Sequence, residues 1–152
     1  MNYQNLVKDF ALRTKHNLRA LRDIQNSGKE VYEVTQLINS MLGLLIFPKE
    51  NYFRSIPRKT TEELLSEGWS IPKVVGNFPQ VRDLRELIRY LRNAIAHFNI
   101  EFYDEGTNKI KGIIVWNTPP GSDIENWRAK MSIKELESIT EKFLALITSK
   151  NE

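Results

Sequence analysis

Val81, Leu84, Ile88, Leu91 and Ile95 recur at steps of 3, 4, 3 and 4 residues. That spacing lays five apolar side chains along one stripe of an α-helix, whereas a strand would need alternation every second residue. The pattern predicts a helix from Gln80 to about Phe98. A first helix is expected from about Asn5 to Gln25, with Leu6, Phe10, Leu21 and Ile24 on one side and Lys8, Lys15, Arg19 and Arg22 on the other. Ser27-Gly28 breaks it, and Ser27 with Glu30 has the spacing of a capping box for a second helix. There Val31, Val34, Ile38, Met41, Leu42 and Leu45 repeat at helical spacing until Pro48. After Leu37 nearly every side of this second helix is apolar, so it is expected to be the most buried element.

Residues 49–79 form a long connection rich in Pro, Gly and charge, within which Thr60 and Glu63 cap a short helix carrying Leu64 and Leu65. After the third long helix, Ile100 to Tyr103 and Ile110 to Trp116 suit a β-hairpin across the turn residues Asp104 to Asn108. Pro119-Pro120-Gly121 ends that excursion. Ser132 and Glu135 then cap a last helix whose apolar face is Leu136, Ile139, Phe143 and Ile147. The expected class is all-α: one domain over residues 1–152, a bundle of about four main helices with a small two-stranded β-hairpin insertion.

With 152 residues the chain is long enough for one core and short for two domains. Apolar residues at 41% and charged residues at 27% describe a folded globular protein. Zero cysteines exclude disulfide scaffolds, zinc ribbons and thiol nucleophiles. Two histidines on separate helices, with no helical carboxylate pair at ligand spacing, leave no metal shell to assemble, so neither a metal nor another cofactor is expected. The seven glycines are scattered singly, which rules out a phosphate-cradling loop. The first residues lack the basic and then apolar blocks of a secretion signal, and the longest apolar run falls short of the ~20 residues that span a bilayer. A cytoplasmic protein with no membrane partner is expected.

At +3 the net charge argues for a polyanionic partner only if the positive groups cluster. They do so on the third helix, where Arg82, Arg85, Arg89 and Arg92 project onto one stripe, with Asn93 and Ala96 beside them. Such a strip holds phosphates through bidentate hydrogen bonds, unless Asp83, Glu86 and neighbouring helices neutralise it. His97 follows Arg92 by five residues, about 140° around an ideal helix and about 7.5 Å along it. Asn93 lies one turn before His97, placed to orient the ring. Histidine moves protons near neutral pH, and arginine stabilises charge building on a phosphorane. Together they suit RNA cleavage through the 2′-hydroxyl, leaving a 2′,3′-cyclic phosphate and a 5′-hydroxyl. One helix alone does not aim both groups at one phosphate, so a catalytic site favours, without demanding, two copies about a two-fold axis that share a cleft. His16, among basic residues of the first helix, is read as surface.

The run Arg92-Asn93-Ala94-Ile95-Ala96-His97, late in the third long helix of a helical bundle, resembles the Arg-x4–6-His motif of the HEPN family (higher eukaryotes and prokaryotes nucleotide-binding). The stretch Glu33 to Pro48 is similar to a plasmid-borne bacterial HEPN subfamily in which a β-hairpin follows the motif. The resemblance implies a metal-independent endoribonuclease with Arg92 and His97 as the catalytic pair and Asn93 as the polar residue after the arginine; the stripe itself would place Arg82, Arg85 and Arg89 on the RNA. It also implies a homodimer with a composite active site, and a setting in toxin–antitoxin pairs or phage defence, with an antitoxin protein as a possible partner. Two alternatives stay open: an inactive module binding a nucleotide or RNA, and a helical interaction protein whose arginines meet an acidic surface.

Overall fold

The computed structural model describes residues 6–46, 53–106 and 109–149. Helix α1 is Leu6–Asn26, α2 Glu33–Ile46, α3 Thr61–Ser66, α4 Leu84–Ala96 and α5 Ile133–Ser149. Strand β1 is Lys73–Val74, β2 Ile100–Tyr103, β3 Gly112–Asn117 and β4 Trp127–Ser132. Helices dominate, but the strands form one antiparallel sheet in the order β1-β4-β3-β2.

The expected hairpin is therefore the outer half of a four-stranded sheet, and the all-α expectation is corrected. Strand β4 shows why: Trp127, Ala129 and Met131 are buried while Arg128, Lys130 and Ser132 alternate with them. That is a period of two, written with basic residues on the outer face, which conceals it from a search for apolar runs. Among the described residues there are five helices, the short α3 joining four long ones.

Helix α1 packs on α5 and α2, α2 packs on α4, and α4 lies on β3. The most buried helix is α4, not α2 as expected. Leu84, Glu86, Leu87, Ile88, Leu91, Ala94 and Ile95 are all buried, because α4 is covered by α2 on one side and the sheet on the other. Within α2, Leu42 stays 38% exposed. The apolar face of α1 is borne out only in part: Phe10 packs against the core and Leu21 is half-buried, but Leu6 and Ile24 near the ends are exposed, while Ala11 and Thr14 are buried.

Ser27 does not cap α2. Its hydroxyl donates to the Ile24 carbonyl at 2.6 Å, closing the carboxyl end of α1, and α2 begins only at Glu33. The other two capping boxes form as expected. Thr60 Oγ1 accepts from the Glu63 N–H while the Glu63 carboxylate accepts from the Thr60 N–H. Ser132 and Glu135 exchange the same pair of bonds at the start of α5. Val81, Leu84, Ile88, Leu91 and Ile95 form the buried seam that their spacing predicts, as do Leu136, Ile139, Phe143 and Ile147. The expected stop at Pro48, and Thr107 and Asn108 of the hairpin turn, lie outside the described residues.

Candidate functional site

Helix α4 carries the arginines and the histidine, and its amino end begins at Leu84 with Asp83 as cap, Asp83 Oδ1 accepting from the Glu86 N–H. Arg82 therefore precedes the helix. It is exposed, and its guanidinium meets Glu86 Oε1 at 2.9 Å. The same oxygen takes Arg89 Nη2 at 3.4 Å. Glu86, only 8% exposed, thus ties the first and third arginines of the stripe. Burial pushes its carboxyl up, but the hydrogen bonds from Arg82 and the charges of Arg82 and Arg89 overcome this and hold it below the ordinary range.

Arg85 points elsewhere. Its guanidinium donates to the backbone carbonyls of Arg54 at 2.8 Å and Ile56 at 2.7 Å, pinning the segment that leads to α3 against the helix. Half-buried Arg92 lies with its guanidinium carbon 4.4 Å from the centre of the Phe53 ring. The long connection thus supplies the surroundings of Arg85 and Arg92, a role its composition gave no sign of.

Asn93 turns its side-chain amide to the sheet, donating to Asn117 Oδ1 at 2.9 Å. Asn117 is 3% exposed and in turn donates to Asn126 Oδ1 at 2.6 Å. The polar residue after the arginine is therefore anchored to the end of β3. One turn on, the His97 N–H donates to the Asn93 carbonyl at 3.0 Å.

His97 is the carboxyl cap of α4 and is exposed. The chain leaves the helix through a Schellman turn: the Phe98 N–H reaches the Ile95 carbonyl at 3.2 Å and the Asn99 N–H the Ala94 carbonyl at 2.7 Å. Arg92 and His97 thus share the last two turns of one helix, the guanidinium beside Phe53 and the imidazole at the open end. Among the described residues, no group of three or more His, Asp or Glu side chains gathers to hold a metal ion. None of their helices is long and apolar enough to cross a membrane.

Sequence reasoning missed Phe53, Asn117 and Asn126. Asn117 carried a signal, for it sits at a core-facing register of β3, in step with Ile113 and Val115. A polar side chain at such a place needs a buried partner.

The family model described as HEPN pEK499 p136 matches residues 1–152, the whole chain. The chain belongs to this HEPN family. No curated protein and no solved structure matches it. Within this HEPN chain the six residues from Arg92 to His97 occupy the carboxyl end of a helix wedged between α2 and the sheet, with the histidine open to solvent.

Proposed function

We propose that residues 1–152 act as one unit, a HEPN endoribonuclease that cleaves single-stranded RNA through its 2′-hydroxyl without a metal. The observation that carries this is the exposure of His97 five residues after an arginine held against Phe53. A proton-transfer group must reach the nucleotide, while a group that stabilises phosphorane charge works best when fixed in advance. His97 would take the 2′-hydroxyl proton or give one to the departing 5′-oxygen. Arg92, stacked on Phe53, would hold the non-bridging oxygens. Arg82 and Arg89 would meet neighbouring phosphates, exchanging Glu86 for RNA, whereas Arg85 is committed to backbone carbonyls and its role becomes structural support.

On an ideal helix Arg92 and His97 lie about 140° apart, so a homodimer would bring an arginine of one copy and a histidine of the other to one phosphate. Growth arrest or phage defence in the cytoplasm, with or without an antitoxin chain, is the setting such an activity fits. The test is incubation of purified protein with labelled single-stranded RNA in EDTA. Fragments ending in 2′,3′-cyclic phosphates support the assignment. Intact RNA, or fragments with 5′-phosphates, contradicts it.

A further inference from the structure

Phe98 follows His97 and is 74% exposed, yet its backbone sits at φ 57°. That left-handed region costs little for glycine or asparagine and is strained for a bulky aromatic residue. Glycine is the ordinary occupant of this position in a Schellman turn, so Phe98 forgoes stability without recovering it through burial. The conformation persists because both sides are fixed. Helix α4 accepts the N–H groups of Phe98 and Asn99, the Trp116 N–H donates to the Asn99 carbonyl at 3.2 Å, and Asn99 Nδ2 donates to Thr118 Oγ1 at 3.2 Å. The turn thus holds an aromatic ring out in solvent, one residue from the imidazole. Strain kept at such a position points to a use for the side chain.

Resting on the nuclease assignment above, we propose that Phe98 is a base-stacking platform, receiving the unpaired nucleobase next to the scissile phosphate. A π-face accepts any base, so the contact selects strandedness rather than sequence. A paired base is stacked on its neighbours and has no face to offer. Phe98 therefore restricts the site to single strands.

The experiment measures binding of a labelled single-stranded oligoribonucleotide whose 2′-hydroxyls are all methylated, and of its duplex, to wild type, Phe98→Gly and Phe98→Trp. Phe98→Gly should bind the single strand about 5-fold or more weakly, with duplex binding unchanged and Tm not lowered. Phe98→Trp should keep or raise the single-strand affinity. A Phe98→Gly chain that binds the strand like wild type overturns the proposal. So does equal loss on strand and duplex, or a change confined to self-association. Methylated ribose cannot be cut, so binding is read apart from chemistry. Stacking on Phe98 in a protein that never cuts unmethylated RNA would keep the platform and end the nuclease assignment. Cutting with unchanged Phe98→Gly binding would do the reverse.

Discussion

The side-chain amide of Asn93 donates to Asn117 Oδ1 at 2.9 Å, joining the carboxyl end of the motif helix to the inner end of β3. Asn117 passes the link on to Asn126 at 2.6 Å, so two connections converge on one buried side chain. Asn117→Ala would remove both bonds, leaving half-buried Asn93 without its partner while exposed Asn126 can turn to water, at about 1–3 kcal/mol. We expect a Tm several degrees lower and a fall in kcat for RNA larger than any rise in KM. Chemical denaturation and steady-state cleavage measure the two effects. Wild-type stability in Asn117→Ala would show that the relay does not hold the helix end.

Glu86 stands between fold and ligand. Glu86→Gln keeps the shape but removes the charge that ties Arg82 and Arg89. The protein should become less stable at neutral pH, while RNA binds more tightly and with a steeper salt dependence. The folded carboxyl lies below its ordinary value, so its stabilisation is present at neutral pH and disappears as pH falls through that lowered range. The stability gap between wild type and Glu86→Gln should therefore be widest near pH 7 and close below about pH 4. Denaturation midpoints across that range check it. A gap that grows towards acid would contradict the pairing.

Glu137 behaves in the opposite sense. Burial, then a hydrogen bond and repulsion from Glu33, pushes its carboxyl up, with Arg22 offsetting part of the effect. A raised acid is penalised when it ionises in the folded state, so Glu137 lowers stability at neutral pH and less so as pH falls through its folded range. Glu137→Gln should raise Tm at pH 7, with the gain fading towards acid. Thermal unfolding at several pH values decides it. A lower Tm at pH 7 would mean that the carboxylate is held by partners rather than strained.

Gly112 tests the sheet. A Cβ there would collide with the Met131 carbonyl oxygen and the Tyr103 hydroxyl, since Tyr103 folds across the strand at this point. Gly112→Ala should cost about 1–3 kcal/mol, because backbone on β4 must move. Equilibrium unfolding of the variant gives the value. A neutral substitution would mean that β3 and β4 do not pair in this register.

The helices were legible because each buries a stripe that repeats at helical spacing, and the stripes of α4 and α5 read true residue by residue. Helix α1 misled because Leu6 and Ile24 sit near its ends, beyond the elements that cover its middle. Strand β4 was hidden since its inner face holds Trp127, Ala129 and Met131 at intervals of two, broken by Arg128 and Lys130. At the candidate site, the sequence placed Arg92, Asn93 and His97 on one helix end. It did not reveal that Arg85 would be drawn to the carbonyls of Arg54 and Ile56, because that depends on where a long connection docks. Nor did it show Asn117 as the partner of Asn93, a contact set by helix-on-sheet packing across 24 residues.

The most direct test compares single-turnover cleavage of single-stranded RNA in EDTA by wild type, Arg92→Ala and His97→Ala, each checked for unchanged folding. Neither side chain is fully buried, so each variant should fold while its cleavage rate falls on the order of 10²-fold or more. Wild-type rates in either folded variant would contradict the claim that the Arg92 guanidinium and His97 imidazole act together on one phosphodiester.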